Sequence, residues 1–142
     1  MKYYLEQQLW SDKNAGGKAS NDIQQMLESV GYLPVPYLHK SGSSLSKIIG
    51  IFRVHPFLLS LGTGNIVLWV MHENGFKMQF IYAISHIKHF KVICFVNDIF
   101  GLWQSKDEKT IARQIHLLDL SDVILAPNQN AINKLSEIWN LS

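Results

Sequence analysis

The chain contains very little cysteine and no long apolar run. Cys94 is the only cysteine in 142 residues, which rules out an intramolecular disulfide. Because Cys94 lies in the apolar run from Phe90 to Val96, we expect a buried, inert thiol. No stretch reaches the roughly 20 apolar residues that span a bilayer, and no signal-peptide core opens the chain. We therefore expect a protein of the reducing cytoplasm, free or at the inner face of the membrane.

Charged residues are also few, at 17%, and the formal net charge is only +2. Lysine and arginine are scattered along the sequence rather than collected in a stripe, so we expect no nucleic-acid partner. The apolar fraction of 47% is ordinary for a globular protein and excludes a disordered tail. At this length, we predict one domain that covers residues 1–142.

Short apolar runs alternate with helical patterns along the chain, which is typical of βαβ units. The pattern predicts strands at 2–7, 33–38, 66–71, 90–96 and 123–126, and helices at 18–30, 45–61, 77–89, 108–118 and 128–139. Gly31 is predicted to end the first helix, while Pro34 and Pro36 suit an edge strand. The sequence therefore predicts an α/β, Rossmann-like three-layer domain with a mainly parallel sheet of about five strands.

Apolar residues at helical spacing predict which helix positions face the sheet. These positions are Ile23, Met26, Leu27, Val30, Phe80, Ile81, Ile84, Ile87, Ile132, Leu135 and Ile138. The segment from Ile48 to Leu61 is the most apolar and could lie against a membrane surface. Arg53, His55 and Pro56 interrupt it, and we favour a helix that is bent near Pro56 and covers the sheet.

Ligands of such sheets bind at the carboxyl ends of the strands, which directs attention to the loops after strands one, three, four and five. After strand one comes Asn14-Ala15-Gly16-Gly17-Lys18-Ala19 at the entry to a helix. Glycine amides and a helix N-terminus suit an anion, and Lys18 adds a positive charge. A plain glycine turn explains the same residues, and neither a dinucleotide-binding nor a P-loop motif is present.

Polar residues follow two other strands. Asn97 and Asp98 come after strand four. The carboxylate of Asp98 suits binding of a sugar or a role as a base. A structural role, in which Asp98 braces the following loop, explains it equally well. His72 follows strand three. His86 and His89 are spaced for a metal pair, but a partly exposed pair without function is the simpler interpretation, and we expect no metal or cofactor.

Together these segments resemble the bacterial galactofuranosyltransferase and glucosyltransferase family with the GT-B fold. Members share the Asn/Asp-Ala-Gly-x-Lys-Ala loop, here residues 14–19, followed by Asn21-Asp22. They also share an apolar strand that leads into a His-Asp-Ile/Leu-x-x-Leu-Arg segment, here Asn97-Asp98-Ile99-Phe100-Gly101-Leu102-Trp103, and a stretch like that beginning at Asp122. The resemblance spans nearly the whole chain.

The resemblance implies the acceptor-side N-terminal domain of a transferase whose C-terminal domain holds most contacts to a UDP-sugar donor. It implies that Lys18 and the amides of Gly16 and Gly17 face the donor diphosphate. Asp98, with Asn97 and His72 nearby, would then serve a glycan acceptor. Asn97 and Trp103 replace the family's usual His and Arg, which keeps a non-catalytic glycan-binding or assembly partner open. An unrelated flavodoxin-like module and homo-oligomerisation also stay open.

Overall fold

The sheet is built from β-branched and aromatic runs that favour extended backbone. The computed structural model describes residues 1–5, 15–36, 44–70, 75–96 and 108–139. Its strands are β1 (Lys2–Tyr4), β2 (Leu33–Pro34), β3 (Ile66–Val70), β4 (Lys91–Phe95) and β5 (Val123–Leu125). They form one sheet in the order β2-β1-β3-β4-β5, and every pair is parallel. The predicted fold class is therefore confirmed.

The described residues also form five helices between and after these strands. They are α1 (Ala15–Ser29), α2 (Ser44–Ser60), α3 (Gly75–Lys88), α4 (Glu108–Asp119) and α5 (Gln129–Trp139). Most predicted bounds differ from these by one to three residues, as expected where helix ends fray. Within the part of the chain that the structure describes, no helix has both the length and the apolarity needed to cross a bilayer.

Apolar side chains cover the sheet from both sides. On one face, Tyr4 and Leu68 pack with Leu27 of α1. On the other, the strand residues Val67, Trp69, Val92 and Cys94 pack with side chains of α2, α3, α4 and α5 in a larger cluster. Neighbouring residues of β3 and β4 therefore enter opposite layers, as the period of two along a strand requires. The result is a three-layer α/β arrangement.

Two predicted strands are shorter than the sequence indicated. β1 ends at Tyr4 and β2 ends at Pro34, and the other residues of each predicted strand lie beyond these ends or outside the described residues. β2 nevertheless lies at the edge of the sheet, as its prolines predicted. Val35 donates its N–H to the carbonyl oxygen of Tyr4 at 2.9 Å, which extends the contact between the two strands by one residue beyond Pro34.

The prediction of which helix positions face inward was partly wrong. Leu27, Ile81, Ile84 and Leu135 are buried, and Ile23 and Phe80 are half-buried, as predicted. Met26, Val30, Ile87 and Ile132 are exposed instead. Val30 follows the end of α1 at Ser29. The other three lie beside the buried stripe, because a short helix packed on a twisted sheet buries a narrower stripe than apolar spacing alone suggests.

Pro56 lies inside α2 rather than ending it. Proline removes the hydrogen bond to the carbonyl four residues earlier, that of Phe52. Phe52 and Pro56 both lie on the exposed side of the helix, whereas Val54 and Leu58 are buried against the sheet. Solvent can reach the freed carbonyl, and α2 covers the sheet as predicted.

Gly31 ends α1 with a φ of 87°, in the left-handed region that side chains disfavour. Its N–H donates to the Glu28 carbonyl at 3.1 Å, and the N–H of Tyr32 donates to the Leu27 carbonyl at 3.0 Å. These two bonds form a Schellman motif, and Tyr32 and Leu27 share the same apolar cluster. The predicted helix end at Gly31 is confirmed.

A chain of buried hydrogen bonds joins β3, α3 and the start of β5. The indole N–H of Trp69 donates to the hydroxyl of Tyr82 at 2.8 Å, and that hydroxyl lies 2.5 Å from the Ser121 hydroxyl. Ser121 in turn donates to the Leu117 carbonyl at 3.2 Å. Burial is the main reason that the pKa of Tyr82 rises to about 12. Each buried polar atom in this chain thereby has a partner.

Cys94 lies in the same interior and is fully buried. Desolvation by burial raises its pKa to about 12. Because the thiolate is the reactive form, Cys94 is not a nucleophile at neutral pH. The structure confirms the predicted inert thiol.

We predict that Gly31→Ala lowers the free energy of unfolding by about 1 kcal/mol, because alanine is strained at a left-handed φ. No heavy atom lies within 4 Å of the added methyl position, so the cost comes from the backbone and not from a clash. Urea unfolding followed by circular dichroism measures it. Gly62→Ala is the control, since Gly62 has an ordinary φ and its nearest atom lies 3.9 Å away. Equal effects of the two substitutions would contradict this explanation.

We also predict that Tyr82→Phe lowers the free energy of unfolding by about 1–3 kcal/mol, because it leaves the Trp69 N–H buried without an acceptor. Tyr3→Phe is the matched control, since the hydroxyl of Tyr3 donates to the exposed Met1 sulfur and not to a buried group. The control should change stability by less than about 0.5 kcal/mol. A neutral Tyr82→Phe would show that the hydrogen-bond chain does not stabilise the fold.

Candidate functional site

The parallel strands bring their carboxyl ends to one edge of the sheet. Val70 pairs with Phe95 and Phe95 pairs with Leu125, so β3, β4 and β5 end side by side. In the sequence, His72 follows Val70 by two residues and Asn97 follows Phe95 by two residues. This edge is where α/β sheets bind their ligands, and it is the candidate site.

Four of the predicted site residues, Asn14, His72, Asn97 and Asp98, lie outside the described residues. Their proposed contacts with an acceptor therefore stay predictions. The structure describes the strands that precede them in the sequence, which end at Tyr4, Val70 and Phe95.

Gly16, Gly17 and Lys18 lie in the first turn of α1, which begins at Ala15. We expected a loop as far as Gly17, and that expectation was wrong by three residues. Asparagine is a favoured residue before a helix, and Asn14 directly precedes Ala15 in the sequence, a signal for the earlier start. The earlier helix start leaves the predicted anion binding possible, because the N–H groups of a first turn have no acceptor within the helix.

The first turn of α1 can therefore present several backbone donors to an anion. The helix dipole places partial positive charge at the same end, and there is no acidic residue in this turn. Phosphate groups bind at helix N-termini for this combination of reasons. The two glycines contribute no side chain that would keep a ligand away from the backbone.

Asp122 lies at the opposite edge and has a structural role. Its carboxylate accepts a 2.8 Å hydrogen bond from the N–H of Val92, and its own N–H donates to the Val92 carbonyl at 2.9 Å. Lys91 contacts the same carboxylate at 3.4 Å. These contacts join the starts of β4 and β5. They explain the presence of Asp122 by its structural role, with no need for a catalytic one.

A groove of about 310 Å³ lies between α3 and α4, lined by Gln79, Tyr82, Ala83, His86, His116 and Leu120. Several of these residues come from the C-terminal halves of the two helices, away from the carboxyl edge of the sheet. The structure thus brings His86 to a groove with His116, a juxtaposition that sequence spacing did not predict. His89 is exposed and ends α3 with a φ of 59°.

No group of three or more histidine, cysteine, aspartate or glutamate side chains that could hold a metal occurs among the described residues. The hydrogen-bond chain through Tyr82 was another feature that the sequence analysis missed. Its one sign in the sequence was Tyr82, a residue with a polar group at an inward-facing helix position. The partners of Tyr82, Trp69 and Ser121, are 13 and 39 residues away from it in the sequence.

Comparison with known proteins places these observations in a family. Residues 2–138 match the model of the glucosyltransferase 3-like N-terminal domain. No curated protein matches the chain at a significant level. The match covers every described strand and nearly all of α5, including the first turn of α1 and the ends of β3 and β4. The chain belongs to the glucosyltransferase 3-like family, as its N-terminal domain.

Proposed function

We propose that this chain is the acceptor-side domain of a GT-B glycosyltransferase and works with a C-terminal domain. Together they would transfer a sugar from a UDP-sugar to a glycan acceptor, in cytoplasmic synthesis of bacterial cell-surface polysaccharide or glycoprotein. Membership of a glucosyltransferase-like family supports sugar transfer. The Rossmann-like arrangement supports the GT-B assignment, since a GT-B enzyme pairs two such domains around a cleft.

The observation that carries this proposal is the first turn of α1, with Gly16, Gly17 and Lys18 at its start. During sugar transfer, the bond between the anomeric carbon and the donor diphosphate breaks. The diphosphate therefore gains negative charge in the transition state. Backbone N–H groups held in place by a helix stabilise that charge without reorganisation. Lys18 would add a positive charge beside them.

On the acceptor side, the proposal assigns the chemistry to residues that follow β3 and β4. The acceptor oxygen bonds to the anomeric carbon while the bond from that carbon to the diphosphate breaks, and the acceptor proton passes to a base. Asp98 would bind or deprotonate the acceptor hydroxyl, while Asn97 and His72 would hold the acceptor. The isolated domain would then bind acceptor and lack transfer activity.

A second candidate is a non-catalytic glycan-binding or assembly partner that descends from such an enzyme. Asn97 stands where the family usually has histidine, and a neutral amide cannot accept a proton at neutral pH. Trp103 stands where arginine is usual, and tryptophan cannot pair with a phosphate. Transfer activity in the joined two-domain protein would exclude this candidate.

We predict that inorganic pyrophosphate shifts the amide NMR signals of Gly16 and Gly17 and that Lys18→Ala weakens its binding about tenfold, through loss of one charge-assisted contact. Lys134→Ala, at an exposed position on α5, is the control and should leave the affinity unchanged. Equal affinities of wild type and Lys18→Ala, or shifts confined to other helices, would remove the first turn of α1 from the diphosphate site.

A further inference from the structure

The two edge strands of the sheet differ in how they are protected. β2 contains Pro34, and Pro36 follows two residues later. Proline has no N–H to donate to a further strand, so it disfavours pairing at this edge. β5, at the other edge, contains neither proline nor a charged residue. Because an edge without such protection is a template for another strand, the β5 edge is the one open to a partner.

The backbone of β5 has hydrogen-bonding groups on its outer side. The N–H of Asp122 donates to the Val92 carbonyl at 2.9 Å and is therefore turned towards β4. The Leu125 carbonyl is also turned towards β4, since it accepts from the N–H of Val96 at 2.8 Å. Successive residues of a strand turn their backbone groups to opposite sides. The N–H and the carbonyl of Val123 thus point away from β4, where no strand follows among the described residues.

Apolar side chains next to this edge are incompletely covered. In the β4–β5 ladder, Val123 is the partner of Ile93 and Leu125 is the partner of Phe95, which places the four side chains on one face. Ile93 and Phe95 are half-buried in the cluster that α1 covers. Val123 and Leu125 are 44% and 40% exposed. A helix about 10 Å wide covers about two strands, so the cover that α1 gives to β1 and β3 runs out towards β5.

A second copy of the chain supplies both things that this edge lacks. When two β5 strands run antiparallel about a twofold axis beside Val123, each Val123 N–H faces the Val123 carbonyl of the other copy. The two exposed valine side chains then lie next to each other. Each Leu125 becomes a diagonal neighbour of the other Val123, within reach of an apolar contact.

Charge does not oppose this pairing. Asp122 is the only charged residue between positions 121 and 127, and it would lie opposite Ile124 of the other copy. Its carboxylate already contacts Lys91 at 3.4 Å. A lipid surface or a helix would cover the apolar strip but leave the outward groups of Val123 without a strand to pair with. The observations therefore favour a second copy as the occupant.

We propose that two copies of this chain associate through their β5 edges, so that their sheets continue into each other across a twofold axis. The paired strands are short, so we expect a weak dimer that is half formed at about 100 μM. β3 and β4 separate this edge from β1, which α1 follows, so the first turn of α1 stays accessible. The inference does not depend on the proposed sugar transfer.

Sedimentation equilibrium of the 142-residue chain, from about 1 μM to about 1 mM, tests this association. We expect a monomer–dimer equilibrium. Val123→Pro removes the outward N–H without removing a bond to β4, and Val123→Lys places two cations opposite each other. Each should weaken the dimer at least about tenfold, since the symmetric contact loses two hydrogen bonds or gains a repulsion. Circular dichroism melting confirms that both variants are folded.

Leu33→Lys is the matched control, because Leu33 is 47% exposed on the β2 edge. It should dimerise like wild type. Val123→Thr should also dimerise, because it keeps a β-branched side chain and the outward N–H. A chain that is monomeric at every concentration overturns the proposal. A dimer that neither Val123→Pro nor Val123→Lys weakens also overturns it, since the contact would then lie on another surface.

Discussion

Strands β3 and β4 carry apolar side chains on both faces, so the parallel sheet that they form has to be covered from both sides. α1 covers one face, and α2 and α3 cover the other. A parallel sheet also requires each connection to return to the same starting edge, which brings every strand end to the opposite edge. The candidate site and the buried core both follow from this arrangement.

Within that frame, two edges of the sheet have different roles. At the amino edge, Asp122 and Lys91 join β4 to β5 through contacts that need no ligand. At the carboxyl edge, α1 presents its first turn with donors that lack intrahelical acceptors. Polar groups are satisfied at one edge and available at the other, which is what a binding domain requires. The chain that carries them is a glucosyltransferase 3-like N-terminal domain.

The fold was predictable because it depends on local patterns. Apolar runs predicted β3 and β4, and Gly31 predicted the end of α1. Each of these sequence patterns lies within a few residues of the strand or helix that it predicts. Ile87 and Ile132 were placed wrongly because burial depends on how a helix sits on a twisted sheet, which spacing does not encode. The same limit hid the Tyr82 hydrogen bonds, which join residues far apart in sequence. The start of α1 at Ala15 had a local signal in Asn14, which the predicted boundary did not use.

The most direct test of the central claim is a calorimetric titration of this chain with UDP-sugars and with candidate acceptor glycans in parallel. The account assigns most donor contacts to a C-terminal domain, so it predicts acceptor binding together with weak or absent UDP-sugar binding. Tight binding of a UDP-sugar without any acceptor binding would contradict it, because the donor site would then lie within this domain.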